Sequence, residues 1–146
     1  MRGDLRGDDG STLPLIIFYG FLSLVLVLLV VAATSLYLER KRLFTTADGA
    51  ALVGAEAFDL GVVALTPEGA LRPTLESDDV AEAVGDYLEG NPVGDFEQLA
   101  VERAVTEDGR SATVQLSAYW RPPLLSLLVP EGVRIDVEAV ARSVFS

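Results

Sequence analysis

The chain begins with a stretch that would be apolar on every side of a helix, over residues 15–36 (LIIFYGFLSLVLVLLVVAATSL). No charged residue lies between Gly10 and Leu38. As an α-helix this stretch would measure about 33 Å at ~1.5 Å per residue, enough to cross the ~30 Å hydrocarbon core of a bilayer. Helices of soluble proteins rarely lack a polar face. The pattern therefore predicts a transmembrane helix over residues 13–38.

A cleaved secretory signal and a buried core helix are the two other interpretations of this stretch. A signal has an apolar region of about 7–15 residues followed by a small-residue cleavage site. The stretch here is longer, and Ala32-Ala33-Thr34 matches such a site poorly. A buried core helix would need a larger soluble part than the rest of the chain supplies. A retained anchor is favoured, with Tyr37 at one bilayer interface and Phe18 and Tyr19 near the other.

The helix is predicted to continue past the membrane, because no proline occurs between Leu43 and Phe58. Pro14 fits the first turn, where its missing N–H costs nothing. One helix is therefore expected from about Pro14 to Leu60. Small and apolar residues, Phe44 among them, recur along one stripe of its second half. The candidate helix-packing interface on this stripe consists of Leu43, Ala47, Ala50, Ala51, Gly54, Ala55 and Phe58.

The alanines and glycine of this stripe recur four residues apart, a spacing that lets another backbone approach closely. Two partners suit such a surface. One is the protein's own sheet, and the other is a helix of a neighbouring subunit. Both can hold on different edges of the helix, and the sequence leaves the choice open.

The middle of the chain predicts a loop followed by a short helix. Turn signals in residues 61–76 indicate a loop or a weak extended arm. Ser77 is the expected N-cap of the next helix, with two aspartates in the first turn, where the helix dipole favours anions. Gly90 and Pro92 are expected to end it. Its predicted buried face consists of Val80, Val84, Tyr87 and Leu88.

From Leu99 onward the pattern alternates with a period of two, which predicts β-strands. In the first strand, Leu99 and Val101 alternate with Ala100 and Glu102. Residues 107–110 (EDGR) predict a hairpin turn whose glycine takes positive φ. The return strand places five residues on one face: Ala112, Val114, Leu116, Ala118 and Trp120.

A last strand is expected after the turn at residues 130–132 (PEG). Its inward side consists of Val133, Ile135, Val137, Ala139 and Ala141, and its outward side begins with Arg134, Asp136 and Glu138. The fold class is therefore α+β. A long N-terminal helix packs on a small antiparallel three-stranded sheet with one extra short helix, a pilin-like arrangement.

Length and charge divide the chain into three parts. Residues 1–12 are short, charged and glycine-rich, and predict a flexible tail. Residues 13–38 are the membrane helix, and 39–146 leave room for one small domain. Beyond Leu43, six Arg face eighteen Asp and Glu, a formal charge of −12. This charge disfavours nucleic acid as a partner, because no basic patch exists to neutralise phosphates.

The chemistry of a typical enzyme is missing. The chain has no Cys and no His, which removes thiolate metal sites, the commonest metal ligand and the commonest general base. The glycines fit neither phosphate-loop nor dinucleotide spacing. Asp78 and Asp79 lack the spaced ladder of a calcium loop and are explained by helix capping. We expect no enzyme activity, no cofactor, no metal and no small-molecule substrate.

Two blocks carry a family resemblance. They are residues 37–43 (YLERKRL) and residues 47–58 (ADGAALVGAEAF), preceded by the uncharged anchor and the Gly10-Ser11-Thr12 tripeptide. This combination resembles the TadE/TadG-like family, pilin-like accessory proteins of tight-adherence (Flp) pilus systems, in its actinobacterial form.

The resemblance implies a single-pass protein of the bacterial cell membrane, with its N-terminus in the cytoplasm and the domain outside. Basic residues flank the anchor on both sides, and charge counting alone slightly favours the opposite orientation. Prepilin processing would cut between Gly10 and Ser11. The glutamate that related proteins carry five residues further on is here Leu15, so a cleaved and an uncleaved form both stay open.

The function implied is that of a minor pilin or pseudopilin in a pilus or secretion assembly. The expected partners are membrane lipid and other pilin-like or secretion-assembly subunits, reached by packing of helices. The alternative is a membrane-tethered module at the cell surface that binds a ligand or a cell-wall component. Its candidate contact surface is Tyr119, a solvent-facing Trp120, and Leu124 and Leu125 from the apolar run 124–129.

Overall fold

The computed structural model describes residues 12–58, 63–65, 71–91, 96–121 and 130–143. Their elements follow one another in the order helix, two short strands, helix and three longer strands. The bounds are α1 Thr12–Glu56, β1 Val63–Leu65, β2 Leu71–Pro73, α2 Ser77–Gly90, β3 Glu97–Val105, β4 Ser111–Trp120 and β5 Val133–Arg142. The predicted α+β fold is confirmed, with one long N-terminal helix, one short helix and an antiparallel three-stranded sheet.

Helix α1 is continuous over 45 residues, as the absence of an interior proline predicts. It ends at Glu56, before the predicted end at Leu60, a residue that lies outside the described part of the chain. The N–H of Ala57 donates to the carbonyl oxygen of Gly54 at 3.3 Å, a spacing of three residues that tightens the last turn. The helix therefore joins the apolar stretch and the folded domain without a break.

The sheet has the order β3-β4-β5, so β4 lies in the middle. Its pairing with β5 is regular from Ser111 opposite Arg142 to Trp120 opposite Val133. The predicted inward face of β4 is buried at every position: Ala112, Val114, Leu116, Ala118 and Trp120. On β5, Ile135, Val137 and Ala139 are buried as predicted, whereas Val133 is 42% exposed at the strand's first position.

Strand β3 departs from the predicted simple alternation. Val101, predicted on the same face as Leu99, is 45% exposed, and Ala104 packs against the core instead. The register with β4 shifts between Glu97 and Ala100 and again between Val101 and Arg103. Such irregularities transfer the following residues to the opposite face of the strand, which local sequence does not reveal.

The segment predicted as a loop or extended arm contains a small antiparallel pair of strands. Strand β1 pairs with β2, with Ala64 opposite Arg72. The extended character of the arm was therefore predicted correctly, and its pairing was not.

The N-cap of helix α2 lies one residue before the predicted position. The N-cap is Glu76, whose side chain makes no capping hydrogen bond, and Ser77 is the first helical residue. The Ser77 hydroxyl instead links α2 to the end of β3. It accepts a hydrogen bond from the Thr106 N–H at 3.1 Å and lies 3.3 Å from the Thr106 carbonyl oxygen, to which it donates. The serine that resembled a cap thus serves a tertiary contact.

The turn between β3 and β4 is organised by Asp108. Its carboxylate accepts hydrogen bonds from the N–H groups of Arg110 (2.9 Å) and Ser111 (2.6 Å) and from the Ser111 hydroxyl (2.9 Å). These bonds, that from Arg110 above all, lower the pKa of Asp108 from 3.8 to about 2. Gly109 takes φ +65°, as predicted, and its carbonyl oxygen accepts from the Leu75 N–H at 2.9 Å.

Because folding lowers the pKa of Asp108, the ionised carboxylate stabilises the folded protein fully above its ordinary pKa. That stabilisation is lost as the pH falls through about 2. We expect Asp108→Ala to lower the free energy of unfolding at pH 7 and to show a smaller deficit as the pH falls from 4 to 2. Equilibrium unfolding across this range measures the difference. Glu131→Ala, which removes an exposed acid from the turn before β5, is the charge-matched control. A deficit for Asp108→Ala that does not change with pH would contradict the prediction.

Candidate interaction surfaces of helix α1

The first two-thirds of α1 forms an exposed apolar rod. No described residue before Leu43 is buried, and the large side chains from Leu13 to Val31 are mostly more than half exposed. Within the described residues, α1 is the one helix long and apolar enough to cross a membrane, with a mean hydropathy of 3.0 in its most apolar window. Length and composition, rather than contacts with a bilayer, carry this conclusion.

The last third of α1 carries the domain. The small-residue stripe packs within the chain: Leu43, Ala47, Ala50 and Ala51 are fully buried and Ala55 nearly so. Their cover comes from β4, β5 and α2. For these side chains the structure shows the first of the two open alternatives, contact with the protein's own sheet. Because they are already covered, they cannot at the same time contact a neighbouring subunit.

One position of the stripe, Phe44, differs from the expectation. Phe44 is 47% exposed, and Thr46 is buried in its place, with its hydroxyl donating to the Arg42 carbonyl oxygen at 3.1 Å. Phe58 is partly buried against the core. Helix α2 contacts α1 at Gly49 and Gly54, which follow Phe44 along the helix. It therefore covers more of α1 only toward the C-terminal end of that helix, beyond Phe44.

Gly54 lies where α1 closely approaches two other elements of the domain. A Cβ atom built on it would lie 3.1 Å from a Val80 methyl, 3.3 Å from the Ala112 Cβ and 3.4 Å from a Val84 methyl. These contacts come from α2 on one side and β4 on the other. The absence of a side chain at Gly54 therefore allows α1 to lie against both elements at once.

We expect Gly54→Leu to unfold the domain or to lower its free energy of unfolding by about 3 kcal/mol, because a large side chain would overpack a closed contact. Gly85→Ala on α2 is the matched control, since nothing lies within 4 Å of its added Cβ. That control should raise the free energy of unfolding by about 0.5–1 kcal/mol through helix propensity. Fluorescence of Trp120, the only tryptophan, follows unfolding of the full chain in detergent. Equal stability of Gly54→Leu and the parent protein would contradict this packing.

A flank of α1, beside the small-residue stripe, remains uncovered above the apolar rod. Tyr37, Phe44 and Leu52 are 65%, 47% and 52% exposed and fall on one stripe of the helix, which we call the outer stripe. Lys41 and Asp48 lie between them and are exposed as well. The exposed apolar side chains of this mixed stripe are available to another helix, unlike those of the buried small-residue stripe.

The sheet reaches down to the upper end of the apolar rod. The Trp120 indole N–H donates to the Ser35 hydroxyl at 3.2 Å, and Ala32 and Leu36 are partly buried against the core. Trp120 is only 9% exposed, so the prediction that it faces solvent is wrong. The pleat of β4 turns it toward α1, as its place among the inward residues of the strand indicates.

Of the other three residues of the predicted contact surface, the structure describes only one. Tyr119 is partly buried and lies opposite Arg134 in the sheet. Leu124 and Leu125 lie outside the described residues, as do Gly10 and Ser11 of the candidate processing site. The structure therefore does not bring Tyr119 and Trp120 together as one exposed aromatic patch.

A groove of about 520 Å³ lies beside this contact, between α1 and the start of β5. Apolar residues and two arginines contribute to its lining. The lining residues are Ala33, Leu36, Tyr37, Arg40, Val133, Arg134, Ile135 and Asp136. Periodicity did not reveal this groove, because it forms between segments almost a hundred residues apart.

Charges on the outer face of the sheet are largely paired. Arg134 lies 3.0 Å from both Asp136 and Glu102, and hydrogen bonding to Asp136 raises the pKa of the Arg134 guanidinium. Ser117 donates to the same Glu102 carboxylate at 2.6 Å. Within the described parts of the chain, no group of three acids is placed to hold a metal ion. The acids thus serve turns, ion pairs and a solvated surface.

These features define a class of protein: a small α+β domain built directly on the end of an apolar helix that has the length to span a membrane. The family described as "putative Flp pilus-assembly TadE/G-like" matches residues 10–57, about a third of the chain. The match confirms the resemblance to the TadE/TadG-like family. It includes the whole of α1. No curated protein and no solved structure matches the chain.

Proposed function

We propose that this chain is a non-enzymatic, minor pilin-like or pseudopilin-like component of a tight-adherence (Flp) pilus or secretion assembly. The observation that carries the proposal is the continuity of α1. Its exposed apolar part runs without a break into the part that bears the domain. The family match over residues 10–57 supports the same assignment, since it spans this junction.

The proposed mechanism is association of helices rather than chemistry. Removing an apolar rod from lipid is costly unless other apolar helices replace the lipid. The small-residue stripe is occupied by the protein's own sheet, so contact with other subunits falls to the apolar rod and to the outer stripe above it. In this mechanism the outer stripe determines which subunit binds to α1 outside the lipid.

The proposed arrangement has residues 1–12 in the cytoplasm, 13–38 in the bilayer and 39–146 outside the cell membrane. The formal charge of −12 beyond Leu43 keeps such a domain soluble and favours basic over acidic protein partners. Processing between Gly10 and Ser11 would shorten the tail and leave the helix intact. A non-enzymatic role agrees with the lack of His and Cys in the whole sequence.

We expect Phe44→Glu and Leu52→Glu to reduce co-purification with the other pilus subunits and to lower pilus output, while membrane insertion stays normal. Both side chains are exposed, so a charge there disturbs association rather than folding. Val140→Glu is the matched control, because Val140 is 59% exposed on the outer face of the sheet. Normal pilus output in both α1 variants, or equal loss in the Val140 variant, would count against association through the outer stripe.

The absence of native cysteine makes the orientation directly testable. We expect a membrane-impermeant maleimide to label Glu89→Cys on α2 in intact cells and to label Ser11→Cys only after lysis. Glu89 is exposed, so its label reports which compartment holds the domain rather than local burial. The reverse labelling pattern would place the domain in the cytoplasm and overturn the proposed arrangement.

A further inference from the structure

The groove between α1 and β5 changes character along its length. Ala33 and Leu36 line its lower part, at the end of the uncharged stretch of α1, and Val133 supplies an apolar wall from β5. Arg40 lines the groove one helical turn above Leu36. The groove thus has apolar surface at one end and a cation at the other. This arrangement suits an amphiphilic ligand better than it suits a second apolar helix.

Among the described residues Arg40 has no counter-ion, in contrast to Arg42 and Arg134. Glu39 pairs with Arg42 at 3.7 Å, and Arg134 pairs with Glu102 and Asp136 at 3.0 Å. Among the residues that the structure describes, no salt bridge involves Arg40, and its side chain is exposed. The acid that lines the groove, Asp136, is already engaged. The groove therefore presents an uncompensated guanidinium, which favours an anionic ligand group.

The walls of the groove are held in place before any ligand arrives. Val133 is the sheet partner of Trp120, and the Trp120 indole is bonded to Ser35 on α1. This contact ties the start of β5 to the helix at the level of the groove. A site whose walls are already fixed loses little conformational entropy on binding.

We propose that this groove binds one phospholipid from the leaflet that faces the domain. The phosphate pairs with the Arg40 guanidinium, and one acyl chain lies along Ala33, Leu36 and Val133. The proposal rests on the proposed function in one respect, that α1 spans the membrane. The end of the uncharged stretch then lies at the edge of the hydrocarbon core, where lipid phosphates are found and where Tyr37 is favoured.

The test uses the full chain in mild detergent, titrated with phosphatidylglycerol and measured by native mass spectrometry. The parent protein should retain one phosphatidylglycerol, and Arg40→Gln should bind it about tenfold more weakly through loss of a charge-assisted hydrogen bond. Lys41→Gln is the matched control, because it removes one exposed cation from the adjacent position, which does not line the groove. It should bind lipid like the parent protein.

Contact is read out separately with phosphatidylglycerol brominated in its acyl chains. The brominated lipid should quench Trp120, which lies beside Val133, and Arg40→Gln should lose most of that quenching. Inorganic phosphate should neither bind nor compete, because it lacks the acyl chain, and diacylglycerol should bind as weakly as phosphatidylglycerol binds to the Arg40 variant.

Several outcomes would overturn the proposal. They are no retained lipid, equal losses in the Arg40 and Lys41 variants, binding of diacylglycerol as strong as that of phosphatidylglycerol, and a dimer in which a second copy covers the groove. These failures are distinct from failure of the proposed function. If the full chain does not fractionate with membranes, the proposed anchoring is wrong. If the protein retains no lipid but still needs Phe44 and Leu52 for assembly, only the proposed lipid site is wrong.

Discussion

Close packing of one face of α1 against the sheet is the contact on which the rest of the structure depends. At Gly54 the helix lies between α2 and β4, with little room for a side chain. The buried alanines below it let β4 and β5 approach the helix axis more closely than leucines would. Because the sheet has three principal strands, this single helix supplies most of the cover for its inner face. The domain therefore cannot keep its core if it separates from α1.

This dependence links the domain rigidly to the apolar rod. The same helix provides the core of the domain and the stretch suited to lipid, and no flexible linker separates them. The Trp120–Ser35 hydrogen bond adds a second attachment at the lower end of the sheet. A displacement or rotation of the helix within the membrane would consequently be transmitted to the whole domain. Such coupling suits a subunit that works by packing beside its neighbours.

The two faces of α1 have separate tasks above the apolar rod. The small-residue face is used up by intramolecular packing, and the outer stripe stays exposed. Between them, at the level where the charges begin, the groove beside β5 exposes Arg40 without a counter-ion among the described residues. Most of the side chains that stabilise the domain therefore differ from those proposed to contact other subunits or lipid, although Leu36 contributes to both the core and the groove and Tyr37 to both the outer stripe and the groove.

The sequence by itself determined the long helix, the β4 and β5 alternation, the glycine turn at Gly109 and the family resemblance, because each depends on local periodicity or backbone preference. It also indicated which residues of α1 are small enough for close packing. It could not distinguish the sheet from a second helix as their partner, since Ala47 or Gly54 suits both equally.

Only the tertiary structure decided the features that depend on residues far apart in the chain. The irregular register of β3 exposes Val101. The Ser77 hydroxyl accepts a hydrogen bond from the Thr106 N–H and does not cap helix α2. The Ser35 hydroxyl receives the indole N–H of Trp120, and β5 converts one side of the apolar rod into a groove. Each of these results from an approach between distant segments, and such approaches have no period along the sequence from which they could be read.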